Sequence, residues 1–271
     1  VWEWQPPPPQ TIELSPTALA MLAKCLRYFF LHDLAGLEEQ PPGQEGGLPA
    51  VDKGRIVHGV LERIELDLPP TALDGRVREL IRQEPGAFLL TVSDAEELVQ
   101  DLERYLRSPT WQALQHSPNL RREVPFHLHI RGQALELFIH GRLDAVVRQD
   151  ETPVVIDHKY AHFDRHKEAG YEVPMAIYAM AAMHAMGSSH AEVQLSFLRS
   201  RVYPTERRTI RAADRIEARL LQLAQAYVDR RHVSDAEGWP RIAREQCELA
   251  RCGFRPFCWG RGAKNALDDE G

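Results

Sequence analysis

Two pieces of this chain decide how it reads. One is Ile139-His140-Gly141-Arg142-Leu143-Asp144-Ala145-Val146-Val147; the other is Val154-Val155-Ile156-Asp157-His158-Lys159. Each is a short apolar run broken or ended by charge, which is the pattern of a buried strand, and Gln149-Asp150-Glu151 between them reads as a turn. Asp157 and Lys159 are two apart, so on a strand they share one face. A carboxylate at the end of a buried strand needs a partner or a metal. If the two strands pair, Asp144 and Asp157 converge. A surface Asp–Lys ion pair in a hairpin accounts for the same spacing without any chemistry.

Working outward, Val124 to Ile130 and Ala134 to Ile139 alternate apolar and polar residues around a turn at Arg131-Gly132. With Arg142 to Val147 and Pro153 to Ile156 they predict an antiparallel meander. Before it lie helical patterns. Ser15-Pro16 opens the first, with Leu19, Leu22, Leu26, Phe29 and Phe30 at helical spacing and an end expected near Gly36. Gly54 to Leu68, Leu73 to Ile81 and Asp94 to Leu106 follow, the last with Ser93 and Glu96 as a capping box. After the meander come a helix over Met175 to Met186, a strand over Val193 to Leu198 and a helix over Ala212 to Val228. The expected fold is α/β: a mixed sheet flanked by helices, with an N-terminal helical part. Residues 1–14, with prolines at 6–9, read as a linker from an upstream domain, and 15–271 as the domain itself. The opening Val1 suggests a chain excised from a longer protein. Gln40 to Ala50, rich in Gly and Pro, reads as a loop.

The chain has 271 residues, 44% hydrophobic and 27% charged, an ordinary globular composition. It lacks an apolar stretch long enough to span a membrane and a secretory-type start, so a cytoplasmic, reducing setting is expected. The net charge of −6 argues at first against a nucleic-acid partner. The charge is uneven, however: residues 1–100 hold 8 Lys/Arg against 16 Asp/Glu, and the remainder 25 against 23. Whole-chain charge therefore misleads about the second part.

Two carboxylates beside a lysine suit phosphoester chemistry. Hard oxygen ligands hold Mg²⁺ or Mn²⁺. The metal polarises a phosphoryl oxygen and acidifies a bound water, while a lysine orients that water or offsets developing charge. His58, in Gly54-Arg55-Ile56-Val57-His58, is a candidate third ligand on an otherwise apolar helix face; a satisfied core histidine is the alternative.

Cys247, Cys252 and Cys258 cluster near the C-terminus as C-x4-C-x5-C, with Cys25 on the first helix. Four thiols are too few for a disulfide framework but suit zinc or an iron–sulfur cluster; unrelated buried cysteines are the alternative.

Taken together, these residues resemble the RecB-like branch of the PD-(D/E)XK nucleases. That branch has a histidine in a G-x-x-x-H context, matched by Gly54 and His58. It has G-R-[IL]-D, matched by Gly141-Arg142-Leu143-Asp144, and D-x-K, matched by Asp157-His158-Lys159. A later Q-x-x-x-Y is matched at Tyr178 but has Pro174 in place of the glutamine. The resemblance implies that His58, Asp144, Asp157 and the backbone carbonyl of His158 bind Mg²⁺ or Mn²⁺, with Lys159 as catalytic lysine. Members with one early and three late cysteines, AddB-type nucleases among them, carry a [4Fe–4S] cluster. By that resemblance Cys25, Cys247, Cys252 and Cys258 would hold one here, with Zn²⁺ as the alternative. It also implies DNA, single-stranded or at processed ends, as substrate and a fused or associated helicase as partner.

Residues 199–219 hold seven arginines (Arg199, Arg201, Arg207, Arg208, Arg211, Arg215, Arg219) against three acids. Arginine suits phosphate contacts, so this stripe is a candidate DNA surface, with Tyr178 beside it. Arg241, Arg244, Arg251, Arg255, Arg261 and Lys264 extend it, and Phe254, Phe257 and Trp259 are candidates to stack on bases. A solvated helix face plus core aromatics is the plainer reading of any one of them.

Overall fold

The computed structural model describes residues 9–39, 48–163, 170–211 and 216–260. Pro6 to Pro8, most of the Gly/Pro-rich loop, Arg215, Arg261 and Lys264 lie outside them.

A mixed sheet forms the centre. Its strands are β1 (Gln10–Leu14), β2 (Arg121–Arg131), β3 (Leu135–Gln149), β4 (Thr152–Lys159), β5 (His190–Phe197) and β6 (Glu206–Arg211). They run in the order β1-β3-β4-β5-β6, with β2 along the other edge of β3. β1 is parallel to β3 and β4 to β5; the remaining pairs are antiparallel.

The meander follows from its turns. Asp150 and Glu151 both take positive φ, 44° and 67°, the conformation that a two-residue hairpin loop needs to match strand twist. That loop sets the register Gln149↔Thr152 through Ala145↔Ile156. Ala134–Ile139 and Arg142–Val147 are one continuous strand, because β2 pairs along nearly its whole length. Gly141 lies opposite Phe126, and a Cβ there would meet the Phe126 ring at 2.8 Å. Glycine lets that ring lie flat across the strand at the point where the Gly-Arg-Leu-Asp run passes.

Helices cover both faces. On one side are α1 (Pro16–Lys24), α2 (Leu26–Phe29), α7 (Glu172–Met186) and α8 (Ile216–Val228). On the other are α3 (Ala50–Arg63), α4 (Leu73–Gln83), α5 (Val92–Leu106) and α6 (Pro109–Gln115). Short helices α9 (Arg244–Leu249) and α10 (Arg255–Trp259) end the described chain. β4 and β5 are parallel, so α7 is the crossover connecting them, and it closes on Gly187 at φ 64°.

Several local expectations shift. Gln10–Leu14, inside the stretch read as linker, forms β1, because its backbone finds a free edge on β3. The first helix breaks at Cys25, which is extended between α1 and α2, and continues as one π-helical turn over Phe30–Leu34. Thr91, not Ser93, caps α5: its hydroxyl accepts from the Asp94 amide at 3.1 Å. β6, α6, α9 and α10 carry too little periodicity to be read from sequence.

Candidate active site

On the edge of β3 away from β2, β1 covers residues 135–139 and β4 covers 145–149. Asp144 lies at the lip of β4's pairing, one step beyond Ala145↔Ile156, so Asp157 stands opposite it. Helix α3 brings His58 over the same place.

The contacts are short. The His158 amide donates to Asp144 Oδ2 at 2.7 Å, and His58 Nδ1 lies 3.5 Å from the same oxygen. His58 also reaches the His158 carbonyl. Lys159 Nζ sits 2.9 Å from Asp157 Oδ1 and 2.8 Å from Oδ2, as same-face neighbours on a strand should. Tyr178, on α7, adds a phenol beside this pair.

Glu123 completes the group. Ligand atoms of His58, Glu123 and Asp144 all lie within 4.8 Å of one another, the one such cluster among the described residues. Glu123 sits on β2 at φ 49°, rare for a residue with a side chain. The register around it (Arg122↔Ala145, Val124↔Leu143) sets it opposite Asp144. Sequence reading missed it because Arg122-Glu123 looks like a charged strand edge. Its signal is the cross-strand register, which no local pattern contains.

Electrostatics mark a site short of cations. Burial, then the neighbouring Asp157, pushes the Asp144 carboxyl up to about 7. Burial, then Asp144, also raises Glu123. Burial and then Lys159 lower His58, leaving its ring neutral and able to ligate. Burial disfavours the Lys159 ammonium, but Asp157, Tyr178 and Asp144 outweigh it, so the lysine stays charged. Neutral imidazole and carboxylate oxygens in one cluster are the donor set for Mg²⁺ or Mn²⁺. His58, Glu123 and Asp144 therefore fit such an ion, with Asp157 and the His158 carbonyl alongside.

The cysteines form a second group. Cys25 and Cys247 are buried, Cys252 and Cys258 half-buried, and all four are free. The C-terminal segment is tied to the first helices by Arg27, which donates to the Trp239 carbonyl at 2.9 Å. Its amide reaches the Pro240 carbonyl at 3.1 Å. Cys25 Sγ lies 3.9 Å from that carbonyl. Burial raises the Cys247 thiol, which Cys25 raises further; Cys258 is raised by burial and by both. Burial pushes Cys252 up to about 11, with Glu39 and Cys247 adding to it. No three of the four cysteine sulfurs lie within 4.8 Å of one another.

The arginine stripe is largely paired within the protein. Arg199 bonds Glu97 and lies 3.8 Å from Asp101. Arg207 pairs with Glu192 at 3.0 Å and Arg219 with Glu172 at 3.3 Å. Arg208 and Arg211 have partners too, and Arg201 is exposed. Phe254, a candidate for base stacking, is instead wholly buried, edge-on to Tyr28 at 5.3 Å. Phe257 remains exposed, and Arg241 stacks over Trp259 at 3.7 Å. Among the described residues, no helix is long and apolar enough to cross a membrane.

The chain is similar in sequence to several known proteins. The chain is 24% identical over 162 residues to an ATP-dependent helicase/nuclease subunit of Thermoanaerobacter sp. (strain X514), covering 54% of this chain and 13% of that protein. The subunit of the same name from Bacillus cereus (strain AH187) is 26% identical over 160 residues, covering 51% and 13%. That from Listeria monocytogenes serotype 4a (strain HCC23) is 24% identical over 174 residues, covering 57% and 14%. The matched region thus spans about one eighth of the length of these relatives. The profile of the PD-(D/E)XK nuclease superfamily matches residues 13–259, nearly the whole described structure, and the chain belongs to that superfamily.

Proposed function

We propose that this domain is a divalent-metal-dependent DNA nuclease that hydrolyses phosphodiester bonds as the nuclease module of a helicase–nuclease in recombination or repair. The observation that carries the reading is the convergence of His58, Glu123 and Asp144 beside the Asp157–Lys159 pair. The helicase context rests on the names of the relatives.

His58, Glu123 and Asp144 would hold Mg²⁺ or Mn²⁺, with Asp157 and the His158 carbonyl completing the set. The bound ion supplies Lewis-acid charge to a phosphoryl oxygen and acidifies water. Lys159, kept protonated by Asp157, acts as a donor that orients the attacking water or offsets charge on the phosphate, not as a base. Asp157 holds that ammonium in place. Tyr178, Arg199, Arg201, Arg207 and Arg208 would contribute to DNA contacts. The four cysteines would hold a [4Fe–4S] cluster that fastens the first helices to the C-terminal segment, with Zn²⁺ as the alternative; the resemblance is what supports the cluster.

The test is cleavage of single-stranded DNA with Mg²⁺ or Mn²⁺ by the wild-type protein, Asp157→Ala and Lys159→Ala. The expected result is metal-dependent cleavage by the wild type alone. Equal activity in all three overturns the mechanism. Absorbance near ~400 nm identifies the cluster, and a colourless protein with stoichiometric zinc rejects it. A non-catalytic DNA-binding module is the second reading, favoured by Pro174 in place of the glutamine. Pro174 lies in the first turn of α7, where proline fits without breaking the helix, so the crossover is intact either way.

A further inference from the structure

His158 stands between Asp157 and Lys159 and projects to the opposite face of β4, into the core shared with α5. Its imidazole is 2% exposed and Tyr105 is 0% exposed. Nothing in packing alone requires polar atoms there, since phenylalanine at 105 would fill the same space. Instead the Tyr105 hydroxyl lies 2.7 Å from His158 Nε2, with the rings edge-on at 5.2 Å. On its other side, His158 Nδ1 lies 3.7 Å from Asp144 Oδ2, the oxygen that also accepts from the His158 amide.

The tautomer follows from these neighbours. The imidazole is fully enclosed, where a charged ring is costly, so it carries one N–H, and the Tyr105 hydroxyl and Asp144 face its two nitrogens. Burial also raises the Tyr105 hydroxyl, which stays a phenol with a proton to give. If Nε2 carried the ring proton, the Nδ1 lone pair would face the Asp144 carboxylate and repel it. With Tyr105 donating to Nε2, the ring proton lies on Nδ1 and faces Asp144. Each buried polar group then has a use.

We propose that Tyr105 and His158 are a positioning pair: the tyrosine sets the histidine tautomer, so that the ring N–H faces Asp144 Oδ2 from 3.7 Å and its electrostatic pull adds to the backbone amide bond that holds that oxygen toward His58 and Glu123. Neither residue touches the metal or substrate through its side chain. Groups that orient ligating carboxylates in this way govern metal affinity more than fold. The proposal rests on the metal site described above.

The experiment is calorimetric titration of the DNA-free protein with Mn²⁺, far below its melting temperature, with circular dichroism as the folding control. Tyr105→Phe keeps the ring and loses the proton; its Mn²⁺ affinity is expected to fall about tenfold or more. His158→Leu is expected to fall similarly. His158→Asn carries an N–H near the position of Nδ1 and is expected to bind more nearly as the wild type does. A folded Tyr105→Phe protein with wild-type affinity overturns the pair, as does His158→Asn binding no better than His158→Leu. A wild-type protein that binds no Mn²⁺ overturns the underlying metal site instead.

Discussion

Glu123, Asp144 and Asp157 sit on neighbouring strands of one sheet, whereas Cys25, Cys247, Cys252 and Cys258 sit at a helix break and on short terminal helices. Both groups draw donors from far apart in the chain. The first is placed by backbone hydrogen bonds: strand register sets the carboxylates, and α3 adds His58. The second is placed by side-chain docking, chiefly Arg27 on the Trp239 carbonyl and Phe254 under Tyr28. A register is all-or-none, but docking of short helices is graded and benefits from a bound group that closes the long loop. The carboxylate site should therefore be pre-built and the cysteine site ligand-stabilised.

The broadest test of that contrast is a crossed pair of variants. Lys159→Ala should cut DNA cleavage by about 10³-fold while leaving absorbance near ~400 nm and melting temperature close to wild type. Cys25→Ser should do the reverse, losing the absorbance and destabilising the domain by about 4 kcal/mol, on the scale of a cross-link closing a loop of this length. Thermal melts with parallel cleavage assays check both, and equal loss of activity in the two variants breaks the division.

Glu123→Gln probes the pre-built side more finely. It keeps size but removes charge, and Mn²⁺ affinity should fall by about 10–100-fold, read by calorimetry.

The same site should bind metal in a pH-dependent manner. Asp144 titrates at about 7, so below that pH a proton competes with the cation, and above it the carboxylate is free. Mn²⁺ affinity should therefore rise with pH by up to about tenfold per unit below 7 and level off above it. The Mn²⁺-induced gain in melting temperature should be larger at pH 8 than at pH 6. The smallest effect expected is at the α5 cap: Thr91→Ala should cost about 1 kcal/mol and Ser93→Ala almost nothing, measured by urea unfolding.

Much of the candidate site's geometry was legible because its spacings are local. Asp157 and Lys159 declare themselves by a two-residue spacing on an apolar strand, and Asp144 by interrupting another. Glu123 was not legible, because its role comes from lying opposite Asp144 across two strands and from a left-handed backbone that no neighbouring residue announces. β1 was hidden for a similar reason: Gln10–Leu14 follows prolines and gains strand structure only from a vacant edge of β3. The arginine stripe shows a different limit of local reading. Its composition is plain, but pairing of Arg199, Arg207 and Arg219 with Glu97, Glu192 and Glu172 appears only in the fold.

By itself, then, the sequence determined the α/β class, the meander and its turn, and the residue types of two donor groups, because hydrophobic period and short spacings are local properties. Tertiary structure alone decided that Glu123 joins His58 and Asp144 and that Tyr105 meets His158, and it set Cys25 beside the distant segment with which the resemblance had grouped it. Those are distances across the sheet and between helices, set by register and packing, and no stretch of neighbouring residues encodes them.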